Sequence, residues 1–148
     1  MNAGIINWKT ILVGTIAVLA ILSGLQMLRA PDRILEDVLV SDEKDHLQLQ
    51  IKFGMPVRYE DHFPAGNGSL VQVKVRPVSL TDTAKNEYLG SESILPGFMA
   101  LVPVTDIAYE GNVPGGPFLT VRFREPVSFK ISEGPSYSSI IFSVAKRG

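Results

Sequence analysis

The chain has 148 residues, of which 45% are hydrophobic and 20% are charged, so it can form one ordinary domain plus a short extra segment. Its net charge of −1 disfavours a nucleic-acid-binding protein held by bulk electrostatics. The sequence has no Cys, which excludes disulfides, thiolate nucleophiles and Cys-based metal sites.

The first predicted element is a membrane-spanning helix. Residues 11–28 read ILVGTIAVLAILSGLQML and carry no charge, and as a helix they would span roughly 27 Å. Trp8 and Lys9 precede this stretch and Arg29 follows it, as interfacial anchors do. The apolar stretch is longer than the core of a signal peptide, and no clean small-x-small cleavage site follows it. We therefore expect residues 1–30 to be an uncleaved transmembrane anchor in contact with membrane lipid.

The orientation of this anchor depends on a small difference in positive charge between the two ends of the span. Positive charges on the two sides of the span are nearly balanced under the positive-inside rule. Short N-terminal tails usually stay in the cytoplasm, which places residues 31–148 on the other side. We expect a single-pass protein of the bacterial inner membrane whose C-terminal domain, residues 31–148, lies in the periplasm.

The domain after Pro31 is predicted to be all-β, because apolar and polar residues alternate with a period of two. Gly-, Pro- and Asn-rich turns separate the alternating segments. Residues 81–97 break the alternation, and they are expected to form either a short helix or a long surface loop. The predicted strands are 34–40, 47–53, 71–75, 102–109, 119–123 and 140–144, with extended pieces at 57–63 and 127–131.

An internal repeat organises these strands. Residues 49–60 read LQIKFGMPVRYE and residues 119–130 read LTVRFREPVSFK, with four of twelve positions identical. Each repeat unit has one apolar face that it cannot bury alone, and two units that face each other would share a core. The sequence thus predicts a small β-sandwich of two pseudo-symmetric halves. Pro56 and Pro126 should each mark a strand end, because Pro cannot donate to a central ladder.

No catalytic constellation is evident. His46 and His62 are the two histidines, and His62 lies in the acidic sequence YEDHF. Neighbouring side chains of an extended strand point to opposite faces, so a metal site is disfavoured and a solvated turn is expected. The carboxylates of Asp42, Glu43 and Glu92 are expected to be exposed and without partners. Known nucleotide-binding and hydrolase motifs do not occur, and we predict a non-enzymatic protein without cofactor or metal.

Basic side chains on the polar faces of the predicted strands are the candidate binding residues. Four of them are expected at matching places in the two halves, which would give two similar basic stripes. One interpretation is a surface for an anionic polymer or a partner protein, and the other is that these charges keep the strands soluble. The candidates are Lys52, Lys74, Arg76, Arg122 and Arg124.

The segments LQIKFGMPVRYEDHF and GSLVQVKV, followed by LTVRFREPVSFK and SSIIFSVAK, resemble the AMIN domain, a module of the bacterial cell envelope. The resemblance covers about residues 34–146 and implies a two-sheet sandwich with an accessory role. That role would be to bind peptidoglycan or to place a partner protein of a cell-wall, secretion or pilus machine. The alternative is an accessory structural subunit of an integral membrane complex, docked mainly through its transmembrane helix.

Overall fold

The computed structural model describes residues 33–78, 88–94 and 103–146, and these residues form an antiparallel all-β fold, as predicted. A short 3-10 turn at Pro135–Tyr137 precedes the last strand. The strands are β1 (Leu35–Asp42), β2 (His46–Phe53), β3 (Val57–Phe63), β4 (Asn67–Pro77), β5 (Ser91–Ile94), β6 (Val104–Glu110), β7 (Phe118–Glu133) and β8 (Ser139–Ala145).

The predicted transmembrane anchor lies outside the described residues, as do Trp8, Lys9 and Arg29. Within the part of the chain that the structure describes, no helix has the length and apolar character needed to cross a membrane. The anchor and the division at residue 30 therefore stay predictions.

The strands form two sheets that share the long strand β7. The first, here called the β2 sheet, has the order β1-β2-β8 and ends on the C-terminal part of β7, residues 129–133. The second, here called the β4 sheet, has the order β5-β6, then the N-terminal part of β7, residues 118–128, then β4 and β3. The two parts of β7 thus belong to different sheets.

The core is one cluster of buried apolar side chains that strands of both sheets contribute. Leu49, Ile51 and Phe53 of β2 are buried, which confirms the predicted inward face of this segment. The rings of Phe53 and Tyr109 meet edge to face with centroids 6.4 Å apart, which joins the β2 sheet to the β4 sheet. Such aromatic pairs add about 1 kcal/mol beyond the area that they bury.

The strand pairing repeats the internal duplication of the sequence. In this duplication β1 corresponds to β6, and β2 corresponds to the first part of β7. The second part of β7 is the counterpart of β3, and β8 is the counterpart of β4. Under this correspondence the order β1-β2-β8-β7 of the β2 sheet becomes the order β6-β7-β4-β3 of the β4 sheet. The fourth strand of each unit therefore pairs within the sheet that the first two strands of the other unit form.

Residue registers agree with this correspondence. Leu49 is opposite Phe142, and its counterpart Leu119 is opposite Val73. Even the irregularities match, because β1 and β6 shift register at corresponding places. The shifts lie between Leu35 and Asp37 in β1 and between Val104 and Asp106 in β6.

The two repeated prolines differ. Pro56 lies between β2 and β3 and marks a strand end, as predicted. Pro126 lies inside β7, so the prediction of a strand end there was wrong. The reason is local, since Arg122 and Val127 are opposite Leu70 and Gly68 of β4. The residues between Arg122 and Val127, including Pro126, have no β4 partner, so the missing N–H of Pro costs no ladder bond there.

Residues 81–97 were expected to be a helix or loop, and part of this expectation was wrong. Ser91–Ile94 form β5, which pairs with β6 at the edge of the β4 sheet. Glu92 of this strand was also wrongly expected to lack a partner. Its carboxylate accepts hydrogen bonds of 2.9 Å from the backbone N–H groups of Ile34 and Leu35, at the start of β1 in the β2 sheet.

A second carboxylate joins the sheets at the opposite edge. Glu133, at the end of β7 in the β2 sheet, accepts hydrogen bonds from the Tyr59 backbone N–H at 2.7 Å and from Arg58 Nε at 3.1 Å. The carboxylates of Glu133 and Glu92 both accept hydrogen bonds from backbone N–H groups, and such charge-assisted hydrogen bonds are stronger than neutral ones. Each lateral edge between the two sheets is therefore closed by one glutamate.

The β1–β2 turn carries the remaining carboxylates that were expected to be unpaired. Asp42 Oδ1 lies 2.5 Å from Lys146 Nζ, and Glu43 Oε1 accepts a 3.2 Å hydrogen bond from Ser41 Oγ. Lys146 also donates to the backbone carbonyl of Glu43. These contacts attach the C-terminal end of β8 to the turn. Both acids are exposed, as predicted, but the expectation that they lack partners was wrong.

Candidate functional site

The five predicted basic residues do not form one surface. Lys52 lies between the buried Ile51 and Phe53, so its side chain is on the outer face of the β2 sheet. The other four lie on the outer face of the β4 sheet. The prediction of four matching positions was wrong, because the registers give Lys52 and Arg122 as one matched pair. Lys74, Arg76 and Arg124 correspond to Ser143, Ala145 and Gly54.

Glu60 partly neutralises two cations of the β4 sheet. It occupies the register shift of β3 between Tyr59 and Asp61, which turns its carboxylate toward the neighbouring strand. Glu60 Oε1 lies 2.8 Å from Arg76 Nε, and Glu60 Oε2 lies 3.8 Å from Lys74 Nζ. The longer second distance leaves Lys74 loosely held. Ion pairs this exposed contribute at most about 1 kcal/mol to stability.

Arg122 and Arg124 carry charge that no described carboxylate neutralises by an ion pair. Both are exposed on the outer face of β7, because Val121 and Phe123, which alternate with them, are buried. Both guanidinium groups are therefore exposed on this face, and Asp106 is the cross-strand neighbour of Arg122.

A groove of about 330 Å³ lies on the same outer face. It was missed by sequence reasoning, although the apolar residue immediately before the PAGNGS turn was a usable signal. That residue, Phe63, is 77% exposed, the largest exposure among the large hydrophobic side chains of the described residues. The groove is lined by Asp61, His62, Phe63, Gln72, Lys74 and Phe118.

The registers place the groove residues in two adjacent rows across three strands. In one row Asp61 of β3 is opposite Lys74 of β4, which is opposite Phe118 of β7. In the next row Phe63 is opposite Gln72, which is opposite Thr120. The Thr120 hydroxyl donates a 3.2 Å hydrogen bond to Glu110 Oε2. The groove floor is therefore polar and its two ends are aromatic.

His62 is a structural residue at the inner side of this groove, so the expectation that it lies in a solvated turn was wrong. Its Nε2 donates to the Ala65 carbonyl oxygen at 3.0 Å, because a carbonyl can only accept. Its Nδ1 then accepts from the Tyr59 hydroxyl at 2.6 Å. Burial, and secondly the charge of Asp61, raises the pKa of Tyr59, so this hydroxyl keeps its proton.

Both nitrogens of His62 are thus engaged, which leaves no free lone pair for a metal ion. Among residues 33–78, 88–94 and 103–146, no three His, Cys, Asp or Glu side chains are grouped so as to hold a metal ion.

The β2 sheet has a groove of similar volume, also about 330 Å³, on its outer face. Here Ser143 stands where the β4 sheet has Lys74. The described residues that line it are Asp45, His46, Ser128, Phe129, Lys130, Ser143 and Ala145. Its one phenyl ring, Phe129, is 5% exposed and belongs to the core. The duplication has therefore kept a groove on each sheet, but the exposed ring belongs to the β4 sheet.

Comparisons with known proteins add no relative. No protein-family model, no curated protein and no solved structure matches the chain. The resemblance to the AMIN domain thus stays a prediction from the sequence.

Proposed function

We propose that this chain is a non-enzymatic, single-pass protein of the bacterial cell envelope. Its extracytoplasmic domain is a β-sandwich of two pseudo-symmetric halves that binds peptidoglycan or a partner protein of a cell-wall, secretion or pilus machine. The observation that supports this most is the outer face of the β4 sheet, where Arg122 and Arg124 lack ion pairs with described carboxylates. Arg122 lies one row beyond Gln72, which lines the groove of this face.

The sandwich is supported by the shared core and the repeated strand pairing. Both sheets pack apolar inner faces together and leave polar outer faces, which is the arrangement of two facing sheets. The polar outer faces of the described strands can offer contacts to a ligand without opening the core. Peptidoglycan carries carboxylates on its peptide stems, so exposed arginines supply complementary charge.

The test is retention of the full chain, kept in detergent, on insoluble peptidoglycan. We expect retention that falls with increasing salt and is lost in the double variant Arg122→Glu, Arg124→Glu. Lys52→Glu on the β2 sheet is the matched control, and it should lower retention less. Absence of retention, together with co-purification of the full chain in a detergent-stable complex, would instead favour the accessory subunit of a membrane complex.

Topology needs a separate measurement. A reporter that is active only in the periplasm, fused after Gly148, is expected to be active. An inactive periplasmic reporter and an active cytoplasmic one would reverse the proposed orientation and, with it, the access of the domain to peptidoglycan.

A further inference from the structure

The outer face of the β4 sheet places an acidic strand beside a basic one. Glu60 and Asp61 are exposed on β3, which pairs only with β4 among the described strands. On β4, Arg76 is exposed and Lys74, directly opposite Asp61, is partly exposed. Charges of opposite sign are therefore separated by one strand spacing, about 4.8 Å, across this face.

An exposed ring and a groove adjoin these charges. Phe63 lies two residues beyond Asp61 on the same strand, is 77% exposed, and is directly opposite Gln72 of β4. The groove that Phe63 and Gln72 line has a volume of about 330 Å³, whereas a cavity of about 150 Å³ is enough for one benzene ring. The face thus carries a projecting ring and, beside it, a recess that accepts a second ring. Apolar patches rimmed by polar groups commonly mark protein interaction sites.

A twofold axis makes this face complementary to itself. When the axis runs parallel to the strands between β3 and β4, the β3 strand of each copy lies over the β4 strand of the other. Asp61 then faces Lys74 of the second copy, and Phe63 faces Gln72 and the groove of the second copy. Each contact occurs twice, because a twofold interface uses the same patch on both copies. Facing sheets pack about 10 Å apart, a gap that these side chains bridge.

One contact between like charges remains in this arrangement. Arg58 is opposite Arg76 in the pairing of β3 with β4, so Arg58 of each copy faces Arg76 of the other. Arg58 Nε lies 3.1 Å from Glu133 Oε1 of its own chain. Arg76 Nε lies 2.8 Å from Glu60 Oε1, so both cations already have a carboxylate partner. Facing sheets also cross at about 30°, which separates this row more than the two rows at the centre.

We propose that the β3–β4 part of this face is a dimerisation surface for a second copy of the chain. Charge selects this partner, because a uniformly anionic or uniformly cationic surface would meet like charge on one of the two strands. An interface of two strands is smaller than the roughly 800 Å² per partner of stable complexes. The dimer is therefore weak and reversible, with a Kd on the order of 10 μM.

This inference goes beyond the proposed function and does not depend on it. Arg122 and Arg124 belong to β7, which lies on the other side of β4 from β3. The two arginines are thus outside the pair of strands that the second copy covers.

The experiment measures association of the full chain in detergent, by energy transfer between copies that carry a donor or an acceptor label after Gly148. Phe63→Ala removes the projecting ring and should raise the Kd about tenfold. Leu39→Ala is the matched control, since Leu39 is 42% exposed but lies on β1 of the β2 sheet. This control should leave the Kd unchanged.

Charge reversal tests the twofold arrangement directly. Asp61→Lys alone and Lys74→Glu alone each place like charges across the axis, and each should raise the Kd about tenfold. An equimolar mixture of the two variants should recover a Kd within about threefold of the wild-type value, because two cationic positions of one variant then face two anionic positions of the other. The like-charged pair within each copy persists in the mixture, so an altered fold cannot produce this recovery.

Each remaining outcome decides the inference. A chain that stays monomeric at about 100 μM would overturn it. A dimer whose Kd none of these substitutions changes would also overturn it, because another surface would then hold the copies together. Single variants that associate weakly and do not recover when mixed would refute the twofold pairing of β3 with β4. Retention of a monomer on peptidoglycan would keep the proposed function, and a dimer without retention would remove the proposed function alone.

Discussion

The glutamate that closes one edge of the fold gives the sharpest test of its stability. Glu92 of β5 accepts hydrogen bonds from the N–H groups of Ile34 and Leu35, each at 2.9 Å. These two residues are 4% and 0% exposed, so water cannot easily replace the carboxylate. Glu92→Ala removes the acceptor and leaves two donors at a buried strand end.

The expected cost follows from the number of donors. A buried donor without an acceptor costs about 1–3 kcal/mol, so losing the acceptor for two donors should lower the free energy of unfolding by about 3 kcal/mol. Glu92→Gln keeps one carbonyl oxygen but loses the charge and turns an NH₂ group toward a backbone donor. Its expected cost is intermediate, about 1–2 kcal/mol.

Urea unfolding followed by far-ultraviolet circular dichroism measures both changes. With a slope of about 2 kcal/mol per molar, Glu92→Ala should move the midpoint down by about 1.5 M. Glu36→Ala is the control, since Glu36 is an exposed β1 carboxylate. A Glu92→Ala midpoint that coincides with that of Glu36→Ala would refute the view that this carboxylate closes the edge between the sheets.

Two further predictions concern Tyr109 and Gly111. Burial raises the pKa of Tyr109 far above 10.0, so Tyr109 ionises first in the unfolded chain, and the free energy of unfolding should fall above about pH 10. The measurement is the urea midpoint at about pH 9 and about pH 11, and Tyr109→Phe should reduce the fall between them. An equal fall in the variant would contradict this. A Cβ on Gly111 would lie 2.1 Å from the Tyr88 carbonyl oxygen, whereas one on Gly66 would be 3.6 Å from its nearest atom. Gly111→Ala should therefore cost about 2 kcal/mol or more and Gly66→Ala little, as measured by thermal unfolding, and equal melting temperatures would refute this.

The strands that were predicted well are those whose burial alternates cleanly. In β4, Val71, Val73 and Val75 are fully buried between exposed or half-buried neighbours, so a period of two was visible in the sequence. The repeat was visible for the same reason, because both units must bury equivalent positions. The alternation of apolar and polar residues indicates which face of a strand is buried, but it does not indicate which strand pairs with it.

Features decided by tertiary partners were not predictable. Ser91–Ile94 has no apolar alternation and becomes a strand because β6 offers an open edge. Glu92 looked like a surface acid because its donors lie 57 and 58 positions away in the chain. Phe63 was correctly placed in an extended segment, but the sequence did not show that its ring lies outside. Local sequence carries none of this information.

The duplication explains why one domain offers two outer faces with different chemistry. Because β4 and β8 each pair within the sheet built mainly by the other unit, neither unit forms a complete sheet without the other. Core positions in both units must then stay apolar together, as Leu49 and Leu119 do. Outer positions are free of this coupling, so Lys74 in one unit can be Ser143 in the other. The two sheets can therefore share one core and still carry different grooves on their outer faces. A binding function confined to the β4 sheet needs no change in the fold.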